Sequence, residues 1–102
     1  MNTIKVKNKW HTIVIGGGQA GLATGYYLKK KNIDFLILDA GVQAGDSWRK
    51  RWNSLKLFTP AWNNDMPGKP FPGNRRSFPG KDEAADFLMG YKEEFELPVL
   101  YE

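Results

Sequence analysis

The sequence predicts an α/β fold built on a small parallel sheet. Three short apolar runs, 13–15, 35–38 and 98–101, have the length and the β-branched or aromatic content of buried strands. A helical pattern over 20–31 separates the first two runs, and another over 82–95 precedes the third. Parallel strands joined by such helices form right-handed crossovers, so we expect the strand order 3-2-1.

A glycine cluster connects the first strand, 12–15, to the first helix. Gly16, Gly18 and Gly21 follow the spacing G-x-G-x-x-G. The first glycine permits a tight turn, the second lets a pyrophosphate approach the backbone, and the third lets helix and strand pack closely. The N–H groups of Gln19, Ala20 and Gly21 would then face an anion at the helix N-terminus.

An acidic residue ends the second strand. Asp39 lies 18 residues beyond Gly21, close to the separation of about 20 that is typical of a carboxylate bound to an adenosine ribose. Together the elements predict a Rossmann-like, three-layer dinucleotide-binding half that is an incomplete domain. The alternative is a βαβ unit that binds no nucleotide.

Composition narrows the classes of function. The 102 residues suffice for one domain, and the net charge of +4 comes from scattered lysines and arginines rather than a basic helix, which argues against nucleic-acid binding. The sequence has no cysteine and a single histidine, His11, so we predict neither a metal site nor a histidine-based catalytic triad. No apolar run approaches a membrane span, and residues 1–10 lack the apolar core of a signal peptide, so we expect a soluble, cytoplasmic protein.

The first helix is expected to end in the lysine run 29–31, where positive charge complements the helix dipole and Asn32 can adopt a left-handed cap. The helix over 82–95 places apolar side chains on one face at i, i+3, i+4, i+7 and i+11, which is typical of a core-facing helix. These side chains are Ala84, Phe87, Leu88, Tyr91 and Phe95.

The segment between the second strand and the last helix is expected to be an ordered irregular loop. It runs through 41–59 and continues into a stretch with five prolines between Pro60 and Pro79. Trp48, Trp52 and Trp62 occur in or beside it. Large aromatic side chains in a loop either pack on the loop itself or contact a flat ligand, and the sequence leaves both possibilities open for the latter two.

Five motifs in this order carry a family resemblance: GGGQAGL, LILDA, GDSWRKRWNSLKLFTP, FPG and SFPGKDEAADFL. They resemble the N-terminal part of the flavin-containing monooxygenases, especially the bacterial flavoproteins and the plant auxin-biosynthesis enzymes of that group. The resemblance implies two dinucleotide-binding domains, FAD held by the first, and reduction of the flavin by NADPH. It places the glycines 16, 18 and 21 on the FAD pyrophosphate and Asp39, where the family often has Glu, on the ribose.

The same resemblance assigns residues to the flavin side of the cofactor. Ser47 and Trp48 match a short G-x-W motif that lines that side, and Thr59 matches a position near the flavin ring. Phe58 stands where several relatives have a polar residue. Arg49 either approaches a phosphate or is an ordinary surface charge.

Three hypotheses about function follow from these observations. In the first, the 102 residues are the FAD-binding N-terminal part of a longer NADPH-dependent monooxygenase whose second glycine motif and C-terminal elements are missing from this sequence. In the second, the chain is an isolated module that binds NAD or ADP. In the third, it is an inactive truncated fragment that self-associates through an open sheet edge beside the first strand. No residue is assigned a catalytic role, and the substrate is left open.

Overall fold

A computed structural model describes residues 9–51, 54–57 and 59–101, and these form a parallel sheet of three strands. The strands are β1 (Thr12–Ile15), β2 (Phe35–Asp39) and β3 (Val99–Tyr101). Strand β2 is central, with Thr12 paired to Phe35 and Ile37 paired to Val99. The expected order 3-2-1 and the parallel orientation are therefore confirmed.

Helix α1 (Gln19–Lys30) connects β1 to β2 and ends as the sequence predicts. Lys29 and Lys30 lie in its last turn, and Asn32 adopts a left-handed conformation with φ of 58°. The Lys29 ammonium also donates a 2.7 Å hydrogen bond to the Phe95 carbonyl. The lysine run thus ends the helix and ties it to the segment that follows the last helix.

Helix α3 (Lys81–Glu94) packs against the same sheet face as α1. Four of the five residues predicted for its apolar face are buried, and Phe95, one residue past its end, is partly buried against the core. The Tyr91 side chain is fully buried and donates its hydroxyl proton to the Pro67 carbonyl at 2.5 Å. The buried side chains of this helix share one hydrophobic core with residues of α1, the sheet and the crossover. These residues are Leu22, Phe35, Ile37, Phe71, Leu97 and Val99.

The long crossover between β2 and α3 contains more regular structure than expected. It has a one-turn helix, α2 (Asp46–Arg49), and a 3₁₀ turn at Ala61–Asn64. An isolated antiparallel bridge pairs Lys56 with Gly80. Backbone hydrogen bonds and the burial of Ala61, Met66 and Phe71 fasten this segment to α3 and the core.

The tryptophans of the crossover have different environments. The Trp48 ring is half-buried and packs against the core, whereas Trp62 is 55% exposed. Trp52 lies outside the described residues. Of the two tryptophans for which packing or ligand contact was left open, only Trp62 is described, and its exposed ring is not part of the core.

The expected full burial of β1 is wrong. Val14 faces the core, but Ile13 and Ile15 are 43% and 80% exposed. Alternate residues of a strand point to opposite sheet faces, and the described helices α1 and α3 pack on only one of them. Leu100 of β3, on the same outer face, is 51% exposed. Within the described ranges, no helix is long and apolar enough to cross a membrane.

Candidate functional site

The turn from β1 into α1 has the geometry that the glycine spacing predicts. Gly16 has φ of 98°, a left-handed conformation that favours glycine. A Cβ on Gly21 would lie 1.9 Å from the Gly16 carbonyl oxygen, so helix and turn approach too closely for any side chain there. A Cβ on Gly18 would meet no protein atom within 4 Å. The second glycine therefore faces open space, as a residue that admits a ligand must.

The first N–H groups of α1 border this open space. The first helical hydrogen bond is donated by Leu22 N–H to the Gly18 carbonyl at 2.9 Å. The N–H groups of the three preceding residues therefore have no carbonyl partner within the helix. Gln19 and Ala20 are exposed, and the first turn of this described helix holds no acidic side chain. The helix end can accordingly bind an anion.

The Asp39 carboxylate is fixed directly beside the turn. Its Oδ1 accepts a 2.9 Å hydrogen bond from Gly17 N–H, and its Oδ2 accepts one of 2.9 Å from Gly41 N–H. Each oxygen keeps lone-pair capacity, because an ionised carboxylate offers about four acceptor sites. The acid and the glycine turn thus form one unit in which the carboxylate is oriented and can still accept hydrogen bonds from hydroxyl groups.

Two glycines that the spacing pattern did not single out make this unit possible. A Cβ on Gly17 would lie 3.3 Å from the Asp39 Cβ, and one on Gly41 would lie 2.9 Å from Asp39 Oδ2. Gly17 is hidden inside the run Gly16 to Gly18, and Gly41 follows Asp39 by only two residues. Their positions beside the glycine motif and beside Asp39 could have indicated from the sequence that they belong to the site.

A groove of about 330 Å³ opens at the carboxyl ends of the strands, where open α/β sheets bind ligands. Its lining includes Asp39 and Ala40, and the exposed side chains of Ile15 and Leu100 contribute apolar surface. The Tyr101 hydroxyl oxygen is buried and has no hydrogen-bond partner among the described residues. Burial, followed by the charges of Asp39 and Asp46, raises the pKa of Tyr101 to about 12.

The tryptophan motif lies near the N-terminus of α1. Ser47 is exposed on α2, and the Trp48 ring contacts the core and has the Arg51 guanidinium 6.0 Å from its centroid. A cavity of about 10 Å³, enough for roughly one water, is lined by both Trp48 and Gln19. The structure therefore brings the tryptophan motif next to the glycine motif.

Thr59 is held near this cavity by a residue that the sequence analysis missed. The Thr59 hydroxyl donates to Asn64 Oδ1 at 3.2 Å, and Asn64 Nδ2 donates to the carbonyls of Thr59 and Pro60 at 3.2 and 2.9 Å. Asn64 also lines the cavity beside Trp48. Asn64 belongs to no recognised motif. It reaches Thr59 and Pro60 only when the chain folds into the 3₁₀ turn, so the sequence alone did not identify it. Phe58 lies outside the described residues.

Comparison with known proteins gives this arrangement a family. Residues 13–102 match the model of the family described as pyridine nucleotide-disulphide oxidoreductase. The chain belongs to this family. The matched residues include the glycine turn, Asp39, the tryptophan motif and β3.

The relatives of this chain confirm the resemblance to flavin monooxygenases. It is 51% identical over 87 residues to a CzcO-like oxidoreductase of Geobacillus kaustophilus, covering 85% of this chain and 25% of that one. It is 33% identical to the probable indole-3-pyruvate monooxygenase YUCCA8 of Arabidopsis thaliana, covering 83% of this chain and 20% of the plant protein.

Solved structures agree with these relatives. The flavin-containing monooxygenase from Stenotrophomonas maltophilia superposes with a TM-score of 0.78 at 38% identity, over 87% of this chain and 27% of that one. The S-allyl-L-cysteine S-oxygenase from Allium sativum superposes with a TM-score of 0.79 at 26% identity, over 91% and 28% of the two chains. The chain thus spans about a quarter of the length of the relatives it matches.

Arg49 and His11 bond to residues outside the glycine turn. The Arg49 guanidinium donates to the Ala44 carbonyl at 2.5 Å and pairs with Asp86 at 3.3 Å, which joins α2 to α3. His11 is exposed at the amino end of β1, where its Nδ1 lies 2.7 Å from the Thr12 hydroxyl. The structure favours a structural role for Arg49 over a phosphate contact. Within the described ranges, no three histidine, cysteine or carboxylate side chains are grouped to hold a metal ion.

Proposed function

We propose that this chain is the FAD-binding N-terminal part of a longer flavoprotein monooxygenase or oxidoreductase that uses NADPH. The observation that carries the proposal is the Asp39 carboxylate, hydrogen-bonded to Gly17 N–H at 2.9 Å beside an open helix N-terminus. A ribose diol and a pyrophosphate are the groups that such a carboxylate and such a helix end bind. The names of the relatives support the oxidoreductase class.

The proposed roles divide the site along the cofactor. Gly16, Gly18, Gln19, Ala20 and Gly21 hold the pyrophosphate, and Asp39 accepts hydrogen bonds from the ribose hydroxyl groups. Ser47, Trp48 and Thr59 border the flavin side, an assignment supported by the cavity that joins Trp48 to the α1 N-terminus. Bound FAD supplies the redox chemistry. The residues of this chain bind the cofactor, orient its adenosine half and keep the aromatic motif beside it.

The fit of the described residues to a dinucleotide supports this assignment. The helix end offers three N–H groups ahead of the first ladder hydrogen bond, and Gly18 leaves the approach free of side-chain atoms. The acid stands at the neighbouring strand end, in the groove of about 330 Å³. The positions that a pyrophosphate and a ribose require are thus adjacent and mutually oriented.

A second candidate is an isolated module that binds ADP or NAD. The charge of Asp39 favours it, because a carboxylate at the ribose repels the 2′-phosphate of NADP.

Under the main proposal, elements beyond this chain complete the flavin half, so the isolated chain should bind FAD only slightly better than ADP. Tight FAD binding with strong discrimination over ADP would show that these 102 residues already form a complete flavin site.

The proposal can be tested by calorimetric titration of the chain with FAD and with ADP. Both oxygens of the Asp39 carboxylate accept a hydrogen bond from a backbone N–H. In Asp39→Asn the amide N–H₂ group replaces one of these oxygens and faces a second donor, so nucleotide affinity should fall by tenfold or more. Asp34→Asn is the matched control, since it makes the same change at the opposite end of β2. Absence of ADP and FAD binding by the folded chain, or equal effects of the two variants, would contradict the proposal.

Self-association belongs to the third alternative, an inactive fragment. The exposed side chains of Ile13, Ile15 and Leu100 on one sheet face, together with the edge position of β1, support it. Sedimentation of the chain with and without Ile15→Lys tests it, because a charge on this face should reduce the association. A cytoplasmic location is part of the main proposal, and fractionation of cells that produce the tagged chain tests it.

A further inference from the structure

The loop that follows β2 folds around two carboxylates. Gly41 N–H donates to Asp39 Oδ2 at 2.9 Å, and the next two N–H groups, of Val42 and Gln43, donate to Asp46 Oδ2 at 2.9 and 3.2 Å. Three consecutive backbone donors are thus shared between an acid before the loop and an acid after it. This sharing fixes the path of the loop at both ends.

Gly41 fits between the two acids with no room to spare. A Cβ on this residue would lie 2.9 Å from Asp39 Oδ2 and 3.4 Å from Asp46 Oδ2. Two like charges that approach the same point repel each other unless hydrogen-bond donors compensate. The three loop N–H groups provide that compensation, and the Arg49 guanidinium adds a cation 3.6 Å from Asp46 Oδ1.

The Asp46 side chain serves the loop that precedes it. Both of its backbone partners lie three or four residues earlier in the chain, whereas α2 begins at Asp46 itself and continues forward. The hydrogen bond from Val42 N–H is the main cause that lowers the pKa of Asp46. The carboxylate is therefore ionised at neutral pH and is bonded to the segment that also carries Gly41.

We propose that Asp46 is a positioning residue for the nucleotide site. By holding the N–H groups of Val42 and Gln43, it keeps Gly41 N–H directed at Asp39 Oδ2, which sets the orientation in which Asp39 presents its free lone pairs to a ribose. Asp46 also starts α2, which bears Ser47 and Trp48, so it links the ribose end of the site to the tryptophan motif. This inference rests on the proposed nucleotide-binding function.

The test compares ADP with 2′-deoxy-ADP in calorimetric titrations of the chain and three variants. The wild-type chain should bind ADP about tenfold more tightly, because only ADP offers the 2′-hydroxyl to the oriented carboxylate. Asp46→Ala should reduce this ratio to about threefold or less, since Asp39 loses its fixed orientation. Asp46→Asn keeps an oxygen that accepts both N–H groups, so it should preserve the ratio within about twofold. Glu93→Gln, on the exposed face of α3, controls for the lost charge.

A ratio that stays at the wild-type value in Asp46→Ala, even with weaker binding of both nucleotides, would overturn the positioning role. A wild-type chain that binds both nucleotides equally would instead overturn the role of Asp39, and with it the proposed function. Asp46→Glu serves if the alanine variant does not fold, because the longer side chain carries its oxygens past the loop and should also lower the ratio. Amide hydrogen exchange provides a readout without ligand: Asp46→Ala should accelerate exchange at Gly41 but not at Gly17, and equal rates at Gly41 would count against the proposal.

Discussion

Adding one methyl group at each of two glycines should separate ligand binding from stability. In Gly21→Ala the new Cβ is placed 1.9 Å from the Gly16 carbonyl oxygen, whereas in Gly18→Ala it meets no protein atom within 4 Å. Gly18 also has φ of −82° and ψ of −163°, a conformation that alanine adopts without strain. The two variants therefore differ in where the methyl group clashes, with the protein or with the ligand.

The expected magnitudes follow from these distances. Relief of a 1.9 Å contact requires the start of α1 to move away from the turn by more than 1 Å, and overpacking of this kind costs about 1–3 kcal/mol. Alanine gains at most about 1 kcal/mol over glycine inside a helix, which offsets only part of that cost. Gly18→Ala should cost less than about 1 kcal/mol, the difference between glycine and alanine at an N-cap.

Thermal unfolding and ADP titration of both variants provide the assay. For a domain of this size, 1 kcal/mol corresponds to about 4–8 °C in Tm, so Gly21→Ala should melt clearly below Gly18→Ala. Gly18→Ala should retain its fold and lose at least tenfold in ADP affinity, because its Cβ occupies the approach of the pyrophosphate. Equal melting temperatures, or undiminished ADP affinity in Gly18→Ala, would refute the assigned roles.

Three further predictions concern the rest of the chain. Trp48→Ala should lower the free energy of unfolding by about 2 kcal/mol in urea titrations, because a half-buried ring that packs on the core is removed; an unchanged value would contradict its packing role. Stability should decline as the pH rises from 10 towards 12, since the unfolded chain loses the Tyr101 proton at the ordinary pKa of 10.0 while the folded chain keeps it to about 12. Tyr101→Phe should reduce that decline when unfolding is followed across the same pH range, and an identical decline would exclude the contribution. The chain mixed with FAD and NADPH under air should oxidise NADPH no faster than free flavin does, as only one dinucleotide motif is present in its sequence; faster oxidation that Gly18→Trp abolishes would contradict this.

Local sequence determined the elements that were predicted correctly. Apolar periodicity located the strands and the two long helices to within about one residue, and the glycine spacing located a turn whose Gly16 is left-handed and whose Gly21 has no room for a side chain. These features depend on residues close in sequence, so their signals are strong. The order of the strands followed from the handedness of parallel crossovers.

Features that depend on distant partners were missed or predicted wrongly. Ile13 and Ile15 have the composition of a buried strand, but their burial depends on which layers cover the sheet. The roles of Asp46 and Asn64 arise from hydrogen bonds within an aperiodic crossover, where no repeat indicates the path of the chain. Arg49 was ambiguous because its carbonyl and carboxylate partners on two elements meet only in the folded structure.

The length of the second crossover has a consequence for the order of folding. In β1–β2 pairing, 23 residues separate Thr12 from Phe35, whereas 62 residues separate Ile37 from Val99 in β2–β3 pairing. The logarithmic dependence of loop closure makes the second pairing about 0.9 kcal/mol costlier in chain entropy. We expect the β1–α1–β2 unit to form first, before α3 has docked, with the Asp39 carboxylate already hydrogen-bonded to Gly17 N–H. A nucleotide that binds this early β1–α1–β2 unit would then accelerate folding of the whole chain. Refolding rates measured with and without ADP would therefore test the order of folding as well as the binding site.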